Sequence, residues 1–235
     1  MIFYCYYISM TKNKNIIVSP SLLAADFSNI KGAVEIVEAA GSGWLHLDIM
    51  DGEFVPNITF GPKVISDIRR ITSLKLDTHL MIMKPERYIK QFADAGSDYI
   101  TVHFEATYHV HRAVSMIKTF GKKAGVSIVP ATSVGSIVDI LPYIDLLLVM
   151  SVNPGFGGQK FIKETLKKVK ILKDIRNKEG YNYKIEIDGG INRNNCKEVI
   201  DAGVDVIVAG TTIFHAEKPA EEIKYLMSCR QKNNI

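Results

Sequence analysis

Hydrophobic and polar positions along the chain predict a regular succession of strands and helices. Short runs rich in β-branched and aromatic residues alternate with longer segments that carry an apolar residue every three or four positions. The predicted strands are 16–21, 44–49, 75–81, 99–104, 125–129, 146–152, 184–188 and 205–209. The predicted helices between them are 29–40, 62–71, 85–95, 110–120, 134–141, 163–176 and 193–202. This alternation is typical of a parallel sheet, because each helix returns the chain to the start of the next strand.

A short motif recurs at three places where a predicted helix ends and a strand follows. Alanine and glycine close the helical segment at Gly41, Gly96 and Gly203, and glycine at this position ends helices in a left-handed conformation. The spacings of these glycines fit two and then four copies of a unit of about 27 residues, the length of one strand with its helix. Eight such units predict an α/β fold, the (β/α)8 TIM barrel, with an open doubly wound sheet as the alternative.

The composition and charge of the chain limit the kinds of protein and partner that are compatible with it. The chain has 235 residues, 47% of them apolar, and a formal net charge of +4 without a long basic block. These values favour a single barrel domain over 16–235 and give no support to a nucleic-acid or membrane partner. The longest apolar run, 144–152, is interrupted by Asp145 and is shorter than the ~20 residues that a membrane-spanning helix needs. An anionic small molecule is compatible with this charge.

The three cysteines and residues 1–15 give information about the cellular compartment of the protein. Cys5, Cys196 and Cys229 lie far apart and form no Cys-x-x-Cys pair, which predicts neither a disulfide framework nor a thiolate zinc site. We therefore expect a reducing compartment and a cytoplasmic location. Residues 1–15 begin with an apolar, aromatic run but lack the features of a signal peptide. We leave open whether they are a targeting segment, a spurious extension or an ordered arm.

Polar side chains interrupt three apolar strands near their carboxyl ends, where the active site of a barrel lies. The two-residue period of a strand puts His46 and Asp48 on one face of the second strand, and Asp77 and His79 on one face of the third. Asp188 ends the seventh strand. Two imidazoles and two carboxylates match the ligand set of a divalent metal such as zinc, iron or manganese. The alternative for each residue alone is a hydrogen-bonded core histidine or a helix-capping aspartate.

Five further residues occupy strand ends with the same parity. His103 and Glu105, at the end of the fourth strand, are weaker candidates that we expect to support the ligands rather than bind the metal. Met50, Met81 and Met150 end the second, third and sixth strands. They are expected either to fill the core or to line the pocket beside the metal with polarisable, water-poor surface.

Glycine-rich loops follow the last three strands, at 153–159, 189–190 and 210–212. Glycine lets backbone N–H groups turn toward an anion, and the last loops of a barrel are its usual phosphate site. We therefore predict a phosphate ester as the ligand, with simple tight turns as the alternative for any one loop. No P-loop motif and no Gly-x-Gly-x-x-Gly after the first strand occurs, so a nucleotide site finds no support.

These segments together closely resemble the ribulose-phosphate 3-epimerase family. The matching segments are SPSLLAADF (19–27), HLDIMDG (46–52), FVPN (54–57), HLM (79–81), VMSVNPGFGGQ (149–159) and DGGI (188–191). The resemblance covers nearly all of the chain from residue 16 onward. It implies a barrel of the ribulose-phosphate-binding type that interconverts D-ribulose 5-phosphate and D-xylulose 5-phosphate at C3 through an enediolate. This reaction lies in the non-oxidative branch of the pentose phosphate pathway.

The resemblance also implies roles for individual residues. It implies one divalent cation, zinc, iron, manganese or cobalt, and the implied ligands are His46, Asp48, His79 and Asp188. Asp48 and Asp188 are the implied acid/base pair. The residues implied to contact substrate are Ser21, His79, Gly155, Phe156, Gly157, Gly158, Asp188, Gly189, Gly190, Gly210 and Thr211. The family often has Gly-Ser-Ala where this chain has Gly-Thr-Thr at 210–212, so the phosphate contact of this loop is open.

Three alternative functions are compatible with a barrel of this type. The related orotidine-phosphate decarboxylases carry an Asp-x-Lys-x-x-Asp strand, and this chain has Met50 where the lysine would stand, so decarboxylation is disfavoured. An epimerase of a related ketose phosphate such as allulose 6-phosphate would use the same C3 chemistry, and this alternative stays open. A non-catalytic phosphate-binding barrel would lack a ligand or an acid/base residue, whereas all are present. The sequence leaves a homo-oligomer open.

Overall fold

The computed structural model describes residues 16–229, and within them eight strands form one parallel sheet. The strands are β1 (Ile17–Pro20), β2 (Trp44–Met50), β3 (Lys75–Met81), β4 (Tyr99–His103), β5 (Lys123–Ile128), β6 (Leu146–Met150), β7 (Lys184–Asp188) and β8 (Val206–Ala209). Every predicted strand is confirmed, with ends that differ by at most two residues. The predicted extension, 1–15, and the final residues of the predicted domain, 230–235, lie outside the described residues.

The sheet closes on itself to form a barrel. Its strands pair in the order β1-β8-β7-β6-β5-β4-β3-β2, and all of these pairs are parallel. Between β1 and β2, an isolated parallel bridge joins Ser21 to His46. The predicted (β/α)8 barrel is therefore confirmed, and the open doubly wound alternative is wrong.

Helices cover the outside of the barrel. They are α1 (Ile30–Ala39), α2 (Pro62–Arg69), α3 (Ile89–Asp94), α4 (Val110–Thr119), α5 (Leu166–Glu179), α6 (Cys196–Ala202), α7 (Thr211–Phe214) and α8 (Pro219–Ser228). Local sequence sets their ends. The side chain of Asn29 accepts the backbone N–H of Gly32 at the start of α1, and Gly180 ends α5 in the left-handed region.

The helix predictions fail at three places. The segment predicted as a helix at 134–141 is a 3₁₀ helix, Val134–Tyr143, and Pro142 within it has no N–H to continue an α-helical ladder. The segment predicted at 85–95 is a 3₁₀ turn, Pro85–Arg87, followed by the shorter α3. No predicted helix corresponds to α7 or α8, which follow the last strand.

The recurring Ala-Gly motif corresponds to a structural contact at the amino-terminal end of the barrel. Asp98 and Asp205 follow two of its glycines, and Asp145 lies in the same position before β6. Each carboxylate accepts a backbone N–H from the preceding strand, at 2.9 to 3.0 Å. Each also pairs with a lysine or an arginine. These aspartates therefore join neighbouring strands in pairs, β3 to β4, β5 to β6 and β7 to β8.

The core has two parts, one outside the sheet and one inside it. Between strands and helices the packing is apolar, as at Leu47 and Ile187, which are fully buried. Inside the barrel, Trp44, Leu146 and Val206 form an apolar layer at the amino-terminal end. The buried polar residues of the strands and their ends are Ser19, Ser21, His46, Asp48, Asp77, Thr78, His79, Thr101, His103, Ser127, Ser151 and Glu186. Burying so many polar groups costs stability unless they are paired. A fold that keeps them at this cost is expected to use them, so their contacts point to the functional site.

A disulfide joins Cys196, the first residue of α6, to Cys229, directly after α8. The cysteine spacing predicts no disulfide, and for this pair the prediction is wrong. Sequence spacing reveals only local cysteine pairs, whereas these residues are 33 positions apart and meet because α8 packs back onto the barrel. The cysteine pattern consequently gives no argument for a reducing compartment. Among the described helices, none has the length and apolarity to cross a membrane.

Candidate active site and metal centre

A cavity of about 220 Å³ lies at the carboxyl-terminal end of the barrel, among the loops that follow the strands. The sequence-predicted site residues that line it are Ser21, Asp48, Met50, Met81, Met150, Gly155, Phe156, Gly157, Gly158, Asp188, Gly189, Gly190, Gly210 and Thr211. His46 and His79 are fully buried beside Asp48. The lining that the sequence analysis did not single out includes Leu23, Val152 and Asn192. Motifs spread over the chain thus meet around one space.

Four residues from three strands form the candidate metal centre. His46 and Asp48 come from β2, His79 from β3 and Asp188 from β7, and one ligand atom from each lies within 4.8 Å of the others. The Oδ1 atom of Asp48 is 3.3 Å from Nε2 of His46 and 3.2 Å from Nδ1 of His79. The grouping that strand parity predicts is therefore present.

The donor atoms fit a divalent cation. The Nε2 atom of His46 is buried and has no hydrogen-bond partner among residues 16–229. An unsatisfied buried nitrogen costs about 1–3 kcal/mol, and coordination of a metal would remove this cost. Two imidazole nitrogens and two carboxylates suit zinc, iron, manganese or cobalt, so the ligand set by itself does not select one.

Asp48 and Asp188 differ in their affinity for a proton when no cation is bound. Burial by itself would raise the pKa of Asp48, but the charge of the nearby His46 and the hydrogen bond with His79 hold it well below its usual range. Burial, and then the charge of Asp48, raise the pKa of Asp188 to about 7. One carboxyl is therefore ionised while its neighbour holds a proton readily, which is the arrangement that acid/base catalysis needs.

A second layer of polar residues contacts the histidine ligands. Burial lowers the pKa of His79 to about 4, so its ring is neutral at pH 7. Its Nε2 atom is 2.8 Å from Nε2 of His103, and Nδ1 of His103 is 3.3 Å from Oε2 of Glu105. On the other side, Nδ1 of His46 is 2.7 Å from Oδ2 of Asp77. His103 and Glu105 thus lie behind the candidate ligands, where a supporting role is expected.

Glu186 and Asp77 are buried polar residues to which the sequence assigns no role, although Asp77 is predicted on the same face of its strand as His79. Together with His46 they form a second group whose ligand atoms lie within 4.8 Å. Nδ1 of His46 already contacts Asp77. We therefore interpret Asp77 and Glu186 as residues that support the candidate metal centre and do not bind a second ion. Burial, and then the charge of Asp77, raise the pKa of Glu186 well above its usual range. Asp77 shares strand parity with His79, and Glu186 shares it with Asp188, so the same signal that places Asp77 also indicates Glu186.

The glycine loops face one another across the cavity. A side-chain carbon added at Gly157 or Gly158 would lie 3.6 or 3.8 Å from the hydroxyl oxygen of Thr211. The hydroxyl of Thr212 donates to the carbonyl of Ile191 at 2.6 Å. Of the two threonines that replace the expected Ser-Ala, the second therefore bonds to the loop after β7. The hydroxyl of Thr211 lies beside the glycine loop and is the one available to a ligand.

The fold and the site define a class of protein, a barrel enzyme with a group of histidines and aspartates that could hold a metal ion beside a glycine-lined pocket. The pattern of the Ribulose-phosphate 3 epimerase family matches residues 17–214. The ribulose-phosphate 3-epimerase of Synechocystis sp. is 48% identical over 213 residues, covering 90% of this chain and 93% of the relative. That of Bacillus subtilis is 46% identical, covering 84% and 91%. The chain belongs to the ribulose-phosphate 3-epimerase family, and it is an epimerase.

Solved structures of lower identity share the fold. The 3-hexulose-6-phosphate synthase of Salmonella typhimurium superposes with a TM-score of 0.68 at 20% identity, covering 93% of this chain and all of that one. A tryptophan synthase α-subunit variant of Pyrococcus furiosus gives 0.67 at 14% identity, covering 92% and 97%. Among sequence relatives, the protein of Arabidopsis thaliana named ribulose-5-phosphate-3-epimerase, chloroplastic, is 47% identical, covering 92% and 78%. A cytoplasmic location for this chain stays a prediction.

Proposed function

We propose that the protein interconverts D-ribulose 5-phosphate and D-xylulose 5-phosphate by removing and returning the proton at C3. The relatives that carry the epimerase name span most of the chain, which supports the substrate class. One observation carries the mechanism. Asp48 on β2 and Asp188 on β7 are separated in the sheet by β1 and β8, yet their ligand atoms lie within 4.8 Å at the cavity.

We assign the metal ligands as His46, Asp48, His79 and Asp188. A bound divalent cation would supply positive charge next to the C2 oxygen of the sugar, which stabilises the enediolate. The unpartnered Nε2 atom of His46 and the mixed nitrogen and oxygen donor set support this assignment. The cation is therefore part of the proposed function, whereas its identity is not.

Asp48 and Asp188 are the proposed acid and base. The C3 hydrogen of a 2-ketose phosphate is acidic because the neighbouring carbonyl accepts the charge. One carboxylate removes the proton from one face of C3, and the other carboxyl group returns a proton to the opposite face. The two exchange roles between the forward and reverse reactions. The hydroxyl of Ser21 donates to Oδ2 of Asp48 at 2.5 Å, which fixes the orientation of this carboxylate.

The remaining predicted residues have proposed roles in binding. Backbone N–H groups of the loops at 155–158, 189–190 and 210–211 would bind the phosphate. Met50, Met81 and Met150 line the cavity and are almost completely buried, so they limit the access of water to the reacting carbons. Exclusion of water strengthens the interaction between the enediolate and the positive charge beside it.

The direct test is isotope exchange at C3. Ribulose 5-phosphate is incubated with metal-loaded protein in deuterated water and followed by NMR. We expect deuterium at C3 and the formation of xylulose 5-phosphate. A folded, metal-loaded protein that introduces no deuterium at C3 contradicts the proposal. Faster turnover of allulose 6-phosphate in the same assay would instead identify the six-carbon sugar as the substrate.

A further inference from the structure

The loop that follows β2, residues 51–59, is held firmly at its start, and we call it the β2 loop. The Oδ1 atom of Asp51 accepts the backbone N–H groups of Glu53 and Phe54 at 2.8 and 2.9 Å. Its Oδ2 atom accepts the N–H of Met83, in the segment after β3, at 2.8 Å. The first half of the β2 loop is therefore fixed both internally and to the neighbouring strand end.

The other end of the β2 loop is bonded to β2 itself. The hydroxyl of Thr59 donates to the backbone carbonyl of Asp48 at 2.6 Å and accepts the N–H of Met50 at 3.1 Å. Between the two ends, the N–H of Gly52 donates to the carbonyl of Asn57 at 2.9 Å. A loop with hydrogen bonds at both ends and across its middle resists local opening. It can therefore support a neighbouring loop.

The side chain of Asn57 connects the β2 loop to the glycine-rich loop after β6. Its Nδ2 group donates to the backbone carbonyl of Gly155 at 2.8 Å. The two loops also pack closely, because a side-chain carbon added at Gly155 would lie 3.2 Å from Cβ of the buried Val55. Among residues 16–229, no other side chain from outside the glycine-rich loop hydrogen-bonds to residues 154–158. The orientation of the Gly155 carbonyl thus depends on Asn57.

Two successive carbonyls of the glycine-rich loop are held in this way. Asn57 binds that of Gly155, and the side chain of Gln159 donates to that of Phe156 at 2.8 Å. In a trans peptide unit the N–H points opposite to the carbonyl, so the N–H groups of Phe156 and Gly157 point away from these side chains. Neither N–H has an acceptor among residues 16–229, and both residues line the cavity. Consecutive N–H groups of this kind bind anions.

We propose that Asn57 is a positioning residue for the sugar phosphate, which holds the Gly155 carbonyl and thereby turns the N–H of Phe156 toward the phosphate group. This inference rests on the phosphate site of the proposed function. Asn57 itself is not among the residues that line the cavity. It therefore acts on binding through the glycine-rich loop, and not on the proton transfer at C3.

The nearly isosteric substitution Asn57→Asp tests this role. The aspartate keeps an oxygen for the N–H of Ile58, which Oδ1 of Asn57 accepts at 2.9 Å, but it has no donor for the Gly155 carbonyl. We expect the Kd for inorganic phosphate and the KM for ribulose 5-phosphate to rise about 3- to 10-fold, the effect of one lost hydrogen bond. The value of kcat should stay within about twofold of wild type, because only binding is weakened.

The control is Ile58→Asp, which adds the same charge one residue further along. The side chain of Ile58 is 74% exposed, and its replacement leaves the amide of Asn57 in place. Because exposed charges are screened by salt, this variant should bind phosphate within about twofold of wild type. Equal weakening in both variants would overturn the inference, since it would show charge repulsion. A wild-type Kd in Asn57→Asp would also overturn it.

Proteolysis measures the hold on the glycine-rich loop without any ligand. The side chain of Phe156 is 53% exposed and is a cleavage site for chymotrypsin, which mass spectrometry can follow. We expect cleavage after Phe156 to be about 3- to 10-fold faster in Asn57→Asp, because the loop opens more often. Ile58→Asp should be cleaved at the wild-type rate. An unchanged rate in Asn57→Asp would contradict the inference.

Phosphate binding separates this inference from the proposed function. If wild type binds inorganic phosphate but introduces no deuterium at C3, the proposed function fails, and the two variants still decide the role of Asn57. NMR of nitrogen-15-labelled wild type adds a reading that needs no variant. Inorganic phosphate should shift the amide resonance of Phe156, and the absence of such a shift at saturation would overturn the inference even if Asn57→Asp fails to fold.

Discussion

Single side chains at the carboxyl end of the barrel have more than one role. In the proposed function Asp48 is both ligand and acid/base group, and its second oxygen accepts the hydroxyl of Ser21. Asp188 on β7 has the corresponding pair of roles, without the two histidine contacts that lower the pKa of Asp48. Residues that combine roles respond to substitution in several measurements at once. A test of one role must therefore measure the other.

The substitution Asp188→Asn tests the acid/base assignment. An amide cannot take up and release the proton, so we expect kcat for epimerisation to fall by about 10²- to 10⁴-fold. Metal content measured on the same sample separates this loss from the loss of a ligand. The exposed Asp94→Asn, which affects only a surface ion pair with Lys90, should retain wild-type kcat. A metal-loaded Asp188→Asn protein with substantial activity would show that another group is the acid.

At the scale of whole elements, the loops after β6 and β7 depend on glycine for close packing. Gly190 has a φ of +68°, and a side-chain carbon there would lie 2.7 Å from the backbone nitrogen of Phe161. Backbone atoms cannot move aside as a flexible side chain can. The two loops thus pack directly against each other at the cavity.

We expect Gly190→Ala to displace the loop and raise KM for the sugar phosphate by at least about tenfold, roughly 1.4 kcal/mol of binding. Gly180 is a matched control, because its φ of +69° is nearly the same and no atom lies within 4 Å of the added carbon. Gly180→Ala should have the strain of the left-handed conformation, about 1–2 kcal/mol, with KM unchanged. Equal KM values for the two variants would contradict a special role for the packing at Gly190.

Sequence patterns are sufficient to predict the strands of this barrel but not all of its helices. All strands follow from short runs in which apolar residues recur, and strand parity groups His46, Asp48 and His79 correctly. An apolar residue every third position fits both an α-helix and a 3₁₀ helix, so the pattern at 134–141 could not distinguish them. The start of α8 has a readable signal, Pro219 with acidic residues in the first turn, but no strand follows to complete the alternation.

Contacts between side chains of different strands lie beyond the reach of sequence patterns. The contact between His79 and His103 depends on two rotamers on adjacent strands, and the disulfide depends on how α8 packs. The register of the barrel decides that Asp77 and Glu186 meet His46. The candidate ligands were accessible because each is a polar residue in an otherwise apolar strand. His103 and Glu105 share this signal and are predicted as supports, whereas the supporting contacts of Asp77 and Glu186 depend on distances in space that no sequence pattern shows.

At the scale of the whole molecule, the candidate metal centre joins strands that are distant in sequence. A cation bound by β2, β3 and β7 would stabilise the folded barrel and not the unfolded chain. At a free metal concentration of one hundred times Kd the gain is about 2.7 kcal/mol.

We therefore expect a chelator to lower the Tm and added Zn²⁺ or Mn²⁺ to restore it. A gain of that size corresponds to about 5–10 °C for a chain of this length. The Tm is measured by calorimetry at several metal concentrations. His79→Gln, which lacks the Nδ1 donor, should show a much smaller shift. Equal shifts in wild type and His79→Gln would mean that the cation binds elsewhere.

The contact between β1 and β2 connects the folding of the barrel with catalysis. There the backbone is bridged at Ser21 and His46, and the side chain of the same Ser21 orients Asp48. The same residue therefore closes the barrel and orients the carboxylate of Asp48. An incompletely assembled barrel, with seven strands in place and the first detached, would keep most of its shape and still leave Asp48 without its anchor.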